Sequence, residues 1–212
     1  MKLIQSTSAS GTANTVTTSA IDTTGANCII LGCSYQVSSG PTLTDSQSNT
    51  WTALTESAYT SNVAAKLFYC VNPKTSATHT FSMNGTTIYP SIGVLAFTEV
   101  NLVPFDVENG ANNGTAQATI ATGSITPTKD DELLVTVLGF HNSGLPVSID
   151  NSFTVVTSQN FLGSNHYGLG LAYKIQTGAA AINPTWTRTN TGRNATRIAG
   201  FKANRTGLVG IL

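Results

Sequence analysis

Cys28-Ile29-Ile30-Leu31-Gly32-Cys33-Ser34-Tyr35 and Leu133-Leu134-Val135-Thr136-Val137-Leu138-Gly139-Phe140 are the two stretches on which the fold turns. Neither shows a helical rhythm, and both are apolar at odd and even positions alike, so each reads as a strand covered on both faces. A sheet with one wet face would alternate apolar and polar residues instead. Covering both faces requires either two halves of the chain packed on each other or a partner subunit lying over one side.

The two stretches are related by an offset of 104 positions, Ile29 to Leu133. The same step carries Ile21 to Ile125, Leu67 to Leu171, Tyr69 to Tyr173 and Phe97 to Phe201. Self-similarity at a fixed spacing sets the structural unit. It divides the chain into an N-terminal arm (1–13), halves at 14–100 and 117–203, a turn-rich acidic connection (101–116) and a C-terminal tail (204–212). Within the first half, strands are expected near 14–19, 28–36, 41–45, 50–56, 63–71, 78–83 and 91–99. Within the second, they are expected near 117–122, 132–140, 146–149, 153–158, 167–175, 184–189 and 195–202. Turn residues such as Ser39-Gly40-Pro41, Asn84-Gly85 and Asp150-Asn151 separate them. The expected fold class is all-β, a jelly-roll-like β-sandwich built from two internally repeated halves. Two small sandwiches in tandem also fit; interleaving of the halves into one domain is preferred because the connection is short.

Composition supports strands and turns. Of 212 residues, 34 are Thr, 20 Ser and 18 Asn, while 9% are charged against roughly 25% in an ordinary soluble domain. That excludes coiled coils and disordered tails, and a formal net charge of zero argues against a nucleic-acid partner. Met1-Lys2-Leu3-Ile4 begins like a secretion signal, but Gln5 and the Ser/Thr run end the apolar stretch too soon, and no run approaches the ~20 residues of a membrane span. No membrane partner is expected. Cys28, Cys33 and Cys70 are too few for a disulfide framework and read as buried thiols.

Catalytic signals are sparse. His79, His141 and His166 are isolated, and no nucleophile elbow, zinc helix or phosphate loop occurs. Asp45-Ser46-Gln47-Ser48-Asn49-Thr50-Trp51 alternates oxygen-bearing side chains as a calcium loop does, yet has one carboxylate, so an Asx turn before a packed Trp is the better reading. Trp51, Trp186, Tyr35, Tyr59, Tyr167 and Tyr173 could form a sugar-stacking platform, although aromatics in a sandwich are more often core. The chain is therefore expected to be no enzyme and to hold no metal or cofactor. Charge is uneven: six of the ten acids lie between Glu99 and Glu132, and none follows Asp150. Lys174, Arg188, Arg193, Arg197, Lys202 and Arg205 fill that final stretch, and the tail ends in the apolar Leu208, Val209, Ile211 and Leu212. These ten residues are the expected partner-binding set.

Thr44 to Trp51, Lys66 to Val71, Asp131 to Val135 and Ile198 to Lys202 together resemble a non-catalytic β-sandwich module of tailed-bacteriophage virion proteins and bacterial surface proteins. The resemblance covers roughly residues 28–202 and brings no catalytic residues. Its implication is a virion structural protein made in the host cytoplasm without a signal peptide. The expected role is capsid decoration or cement, stabilising the shell by binding neighbouring capsid or tail subunits, with a dimer or trimer as the working oligomer. The alternative it leaves open is a carbohydrate- or receptor-binding module of a phage tail or bacterial surface, with a glycan as ligand.

Overall fold

A computed structural model describes the chain except residues 13, 37–39, 60–61, 86–87, 143–144, 146, 162–166 and 205–212, and the side chains of residues 88, 160 and 161. The fold is all-β and antiparallel, and no helix occurs among the described residues.

The first half contributes β1 (Lys2–Ser10), β2 (Thr15–Thr17), β3 (Cys28–Gln36), β4 (Thr42–Asp45), β5 (Thr52–Ala53), β6 (Ser57–Tyr59), β7 (Val63–Val71), β8 (Phe81–Asn84) and β9 (Ile88–Thr98). The second contributes β10 (Val100–Asn112), β11 (Gln117–Ala121), β12 (Glu132–His141), β13 (Val147–Ile149), β14 (Thr154–Phe161), β15 (Tyr167–Gln176), β16 (Thr185–Gly192) and β17 (Asn194–Ala203). Their large sheets run β1-β9-β3-β7-β5, with β6 also on β7, and β10-β17-β12-β15-β14; the small sheets run β2-β8-β4 and β11-β16-β13. Counting strands from the start of each half, with β5 and β6 as one interrupted strand, both halves read 1-8-3-6-5 over 2-7-4. That order is jelly-roll-like, with strand 5 on the large sheet beside strand 6 rather than on the small sheet beside strand 4.

This pairing corrects the expected interleaving. Every ladder in the described residues joins two strands of the same half, so each half closes its own sandwich and the two meet face to face through their large sheets. Two further boundaries differ. The N-terminal arm is the edge strand β1, paired along its length with β9, and the connection 101–116 is mostly the edge strand β10, paired with β17. Both escaped a hydrophobicity reading for the same reason. An edge strand seals only part of its surface, so β1 is written in Ser and Thr, while β10 carries Pro104 and Asn109-Gly110 at places where its ladder shifts register or bends.

Three apolar layers result. The middle one joins the large sheets, with Ile30, Leu67, Leu95 and Phe97 meeting Leu133, Val135, Leu171 and Phe201. Above it, Ile29, Leu31 and Val94 pack under Phe81 and Met83 of the first small sheet; below it, Leu134, Leu138 and Ile198 pack on Ile120 and Trp186 of the second. Hence the two opening stretches, β3 and β12, lie mid-sheet and are buried on both faces. Trp186 is wholly buried, its indole N–H donating to Thr136 Oγ1 at 3.1 Å. Cys28, Cys33 and Cys70 are free thiols in this interior; burial pushes Cys28 up to about 12 and Cys70 up to about 11, which leaves them unreactive.

Close approach of the large sheets depends on missing side chains. Gly32 and Gly93 face each other across β3 and β9, and a Cβ on either would stand within 3.0 Å of a Leu171 methyl. From the opposite sheet, a Cβ on Gly139 would fall 2.7 Å from both the Ala64 carbonyl oxygen and Ser34 Oγ. Polar ties flank the seam: Thr157 and Gln159 donate to Ser8 Oγ on one side, and Thr55 donates its hydroxyl and N–H to Glu108 on the other. Gly139→Ala is therefore expected to cost about 1–3 kcal/mol of unfolding free energy. Gly178→Ala, where a Cβ meets nothing within 4 Å, is expected to leave stability unchanged; urea titration of both variants checks this.

Candidate functional site

Of the ten expected partner-binding residues, Arg205, Leu208, Val209, Ile211 and Leu212 lie outside the described residues. The other five do not form one patch. Lys174 Nζ reaches the Asn151 carbonyl at 3.0 Å. Arg197, from β17, is buried between the large sheets and paired with Glu108, with Ser57 Oγ close by. Lys202 forms an ion pair with Asp106 at 3.1 Å. Arg188 and Arg193 alone share a neighbourhood, at the end of the molecule where β3 and β12 finish and β7 and β15 begin.

That end holds a continuous run of rings and guanidinium groups across the seam between the halves. Tyr89 stacks on Tyr167 with centroids 5.1 Å apart and planes 8° from parallel, and His141 lies against the other side of Tyr167. The His141 backbone N–H donates to the Arg193 carbonyl at 2.9 Å. The Arg193 guanidinium lies 4.3 Å over the Tyr59 ring and donates to the Gly114 carbonyl. Arg188, 3% exposed, donates to the carbonyls of His141, Asn142 and Asn190 and sits over Phe140. Burial lowers its pKa to about 10, so it stays protonated at neutral pH. Tyr89 holds φ at +55°, a strained value for a bulky residue and one that clusters at binding sites.

Two further properties mark this end. All acids but Glu56 and Glu108 lie on or near the loops at the opposite end, so the Arg188 and Arg193 cations are met by carbonyls and rings. Nearby, Asn62 Oδ1, Asn113 Nδ2, Asn194 Oδ1 and Arg188 Nη2 are buried without a hydrogen-bond partner among the described residues. Unpaired buried polar atoms are uncommon and point to bound water or a ligand group. Composition hid this constellation, because Tyr89 follows an apolar strand start with no motif of its own. The sugar platform is correspondingly smaller than expected. Tyr35 and Trp186 are core, Trp51 donates to Asp45, and Tyr173 packs on Phe97.

Two polar clusters lie at the opposite end. Asp45 accepts from the Gln47 and Asn49 N–H groups and from Trp51 Nε1, closing an Asx turn, and its Oδ1 meets His79 Nε2 at 3.0 Å. His79 Nδ1 in turn meets Thr23 Oγ1 at 2.9 Å. The Thr-His-Asp sequence has the connectivity of an activated nucleophile, but Thr23 and His79 are both fully buried. It ties the β2–β3 loop to β4 and offers no surface to a substrate. His79, isolated in the sequence, is thus a core residue stacked on Phe81. The second cluster joins Asp106, Glu132 and Lys202. Burial, helped by the adjacent Asp106 charge, pushes the Glu132 carboxyl up to about 7; Asp106 is raised by burial but held below the usual carboxylate range by Thr128, Lys202 and the Glu132 proton.

No protein-family model matches the chain, and no curated protein and no solved structure matches it. Functional argument therefore rests on the site itself.

Replacing His79 by Ala removes its hydrogen bonds to Asp45 Oδ1 and Thr23 Oγ1, which keep their other partners, at an expected cost of about 1–3 kcal/mol in all, measurable by denaturant titration. For Glu108, burial raises the pKa, but Arg197 and Thr55 outweigh it and hold the carboxyl below its ordinary value. The unfolded chain then binds the proton first as pH falls. Stabilisation by Glu108 is complete above the unfolded pKa and is lost as pH drops through the lower folded value. Glu108→Gln is expected to flatten that part of the acid limb in thermal melts run from pH 6 to pH 2.

Proposed function

We propose that this chain is a non-enzymatic structural protein of a tailed-bacteriophage particle, a decoration or cement protein that binds across neighbouring capsid subunits. The observation that carries the reading is the character of one end: Arg193 lies over Tyr59 with no carboxylate paired to it among the described residues, whereas Arg197 and Lys202 are paired with Glu108 and Asp106 and Lys174 is capped by a carbonyl. A cationic, aromatic-lined end on a weakly charged body suits docking onto carboxylates and carbonyls of a protein surface. Jelly rolls serve both viral shells and lectins, which supports the reading at the level of fold alone. Attachment acts by mass action, raising shell stability through burial without chemistry.

A second reading, a carbohydrate- or receptor-binding module, is favoured by Tyr89, half-buried and stacked on the buried Tyr167, and by the unpaired amides of that end, which suit a ring face and hydroxyls. One comparison separates the two. Purified protein added to undecorated shells is expected to saturate at a fixed copy number and to raise their disruption temperature, and Arg193→Glu is expected to weaken binding at least tenfold. Protein that ignores shells but is retained on a glycan array overturns the first reading in favour of the second.

A further inference from the structure

The Asp106, Glu132 and Lys202 cluster has a geometry that neither reading uses. The three residues come from adjacent strands of one sheet, in the order β10, β17, β12. Leu133 is opposite Phe201, which places Glu132 beside Lys202 across the β12–β17 ladder. On the other side of β17, the register shifts between Phe105 and Glu108. A bulge of that kind re-aims a side chain, and here it sets Asp106 diagonally across from Lys202, with Lys202 Nζ 3.1 Å from Asp106 Oδ1. Gly200 lies between the two carboxyls. A Cβ there would stand 3.0 Å from Glu132 Oε2, so only glycine leaves the Glu132 carboxyl unobstructed over β17, where its Oε2 is buried with no hydrogen-bond partner among the described residues and the Asp106 charge acts on it.

Surroundings fix each group. The Thr128 N–H and hydroxyl hold both Asp106 oxygens at 2.7 and 2.6 Å, and the Lys129 N–H holds Glu132 Oε1 at 3.0 Å. The Asp106 side chain is 3% exposed and Glu132 is fully buried, whereas Lys202 is 32% exposed along its side chain. A cavity of about 200 Å³ lined by Asn101, Lys129, Asp130, Lys202 and Ala203 opens beside the amine.

We propose that Lys202 and Asp106 condense to an intramolecular amide, with Glu132 as the proton carrier. The Lys202 amine lies 3.1 Å from an oxygen of the Asp106 carboxyl, beside the carbon it would attack, and Glu132 is its neighbour across the ladder; a positioned amine, carboxyl and acid–base group are the elements of a near-attack arrangement. The ammonium of Lys202 passes one proton to the carboxyl pair, leaving a neutral amine facing a protonated Asp106. Nitrogen attacks Asp106 Cγ, and the C–O bond to the hydroxyl breaks. Glu132 gives its proton to the departing hydroxyl and takes the one left on nitrogen, so it ends as it began. One ammonium and one carboxylate become one amide and one water, with no oxidant, reductant or activated co-reactant. A carboxyl that keeps its proton near neutrality, as Glu132 does, is suited to that exchange. The link would join the first strand of the second jelly roll to its last and enclose the chain between residues 106 and 202.

Intact-mass spectrometry of the purified full chain decides the matter independently of what the protein binds. The expected mass is lower than the sequence mass by one water, and proteolysis is expected to give a branched peptide joining the segments that carry Asp106 and Lys202. Lys202→Arg, which keeps the charge, and Asp106→Ala are both expected at their full sequence mass, as is Glu132→Gln. A wild-type chain at full mass after days at pH 5 to 8 overturns the proposal. So does a water loss that persists in Lys202→Arg or maps elsewhere, and a Glu132→Gln chain that links as fast as wild type removes Glu132 from the role.

Discussion

Everything in this fold depends on two five-stranded sheets meeting where backbone, rather than side chain, forms part of the contact. Gly32, Gly93 and Gly139 let Leu171, Ser34 and the Ala64 carbonyl enter space that any Cβ would fill. Interiors are packed as densely as organic crystals, so a gap of one methyl group between sheets is felt along their whole length. Because this contact is close, β3 and β12 are covered on both faces. Each small sheet then needs to cover only an outer face, which three short strands accomplish.

Much of this was legible in the residues. Strands with apolar runs announce themselves, and the doubly apolar character of Ile29 to Leu31 and Leu133 to Leu138 requires material on both sides. Whether that material is the other half interleaved or the other half stacked is a question of hydrogen-bond partners, on which hydropathy is silent. Edge strands fall below the same threshold. β1 and β10 bury only part of their surface, so Ser, Thr, Pro and Asn-Gly are tolerated there and imitate loop chemistry.

Charged residues were harder to read. The run from Lys174 to Lys202 counts as a basic stretch along the chain, but strands disperse it. Successive side chains point to opposite faces, and neighbouring strands supply carboxylates from distant sequence. Thus Arg197 finds Glu108 and Lys202 finds Asp106, each some ninety residues away. Lys174, Arg188 and Arg193 are met by carbonyls or rings instead. The aromatic residues sort by the same rule: those on central strands become core, and those at strand starts, Tyr89 and Tyr167, meet across the seam.

In each half the strand that begins the jelly roll pairs with the strand that ends it, β1 with β9 and β10 with β17. Such pairings close large loops and form late, since the entropy of closure is met before the contact rewards it. Yet β9 ends at Thr98 and β10 begins at Val100, so the first unit has all its strands before the second has any. During synthesis the earlier jelly roll can close completely while the later one is still being made, and its inner sheet then offers a finished template, Gly32 and Gly93 included, against which the second half packs.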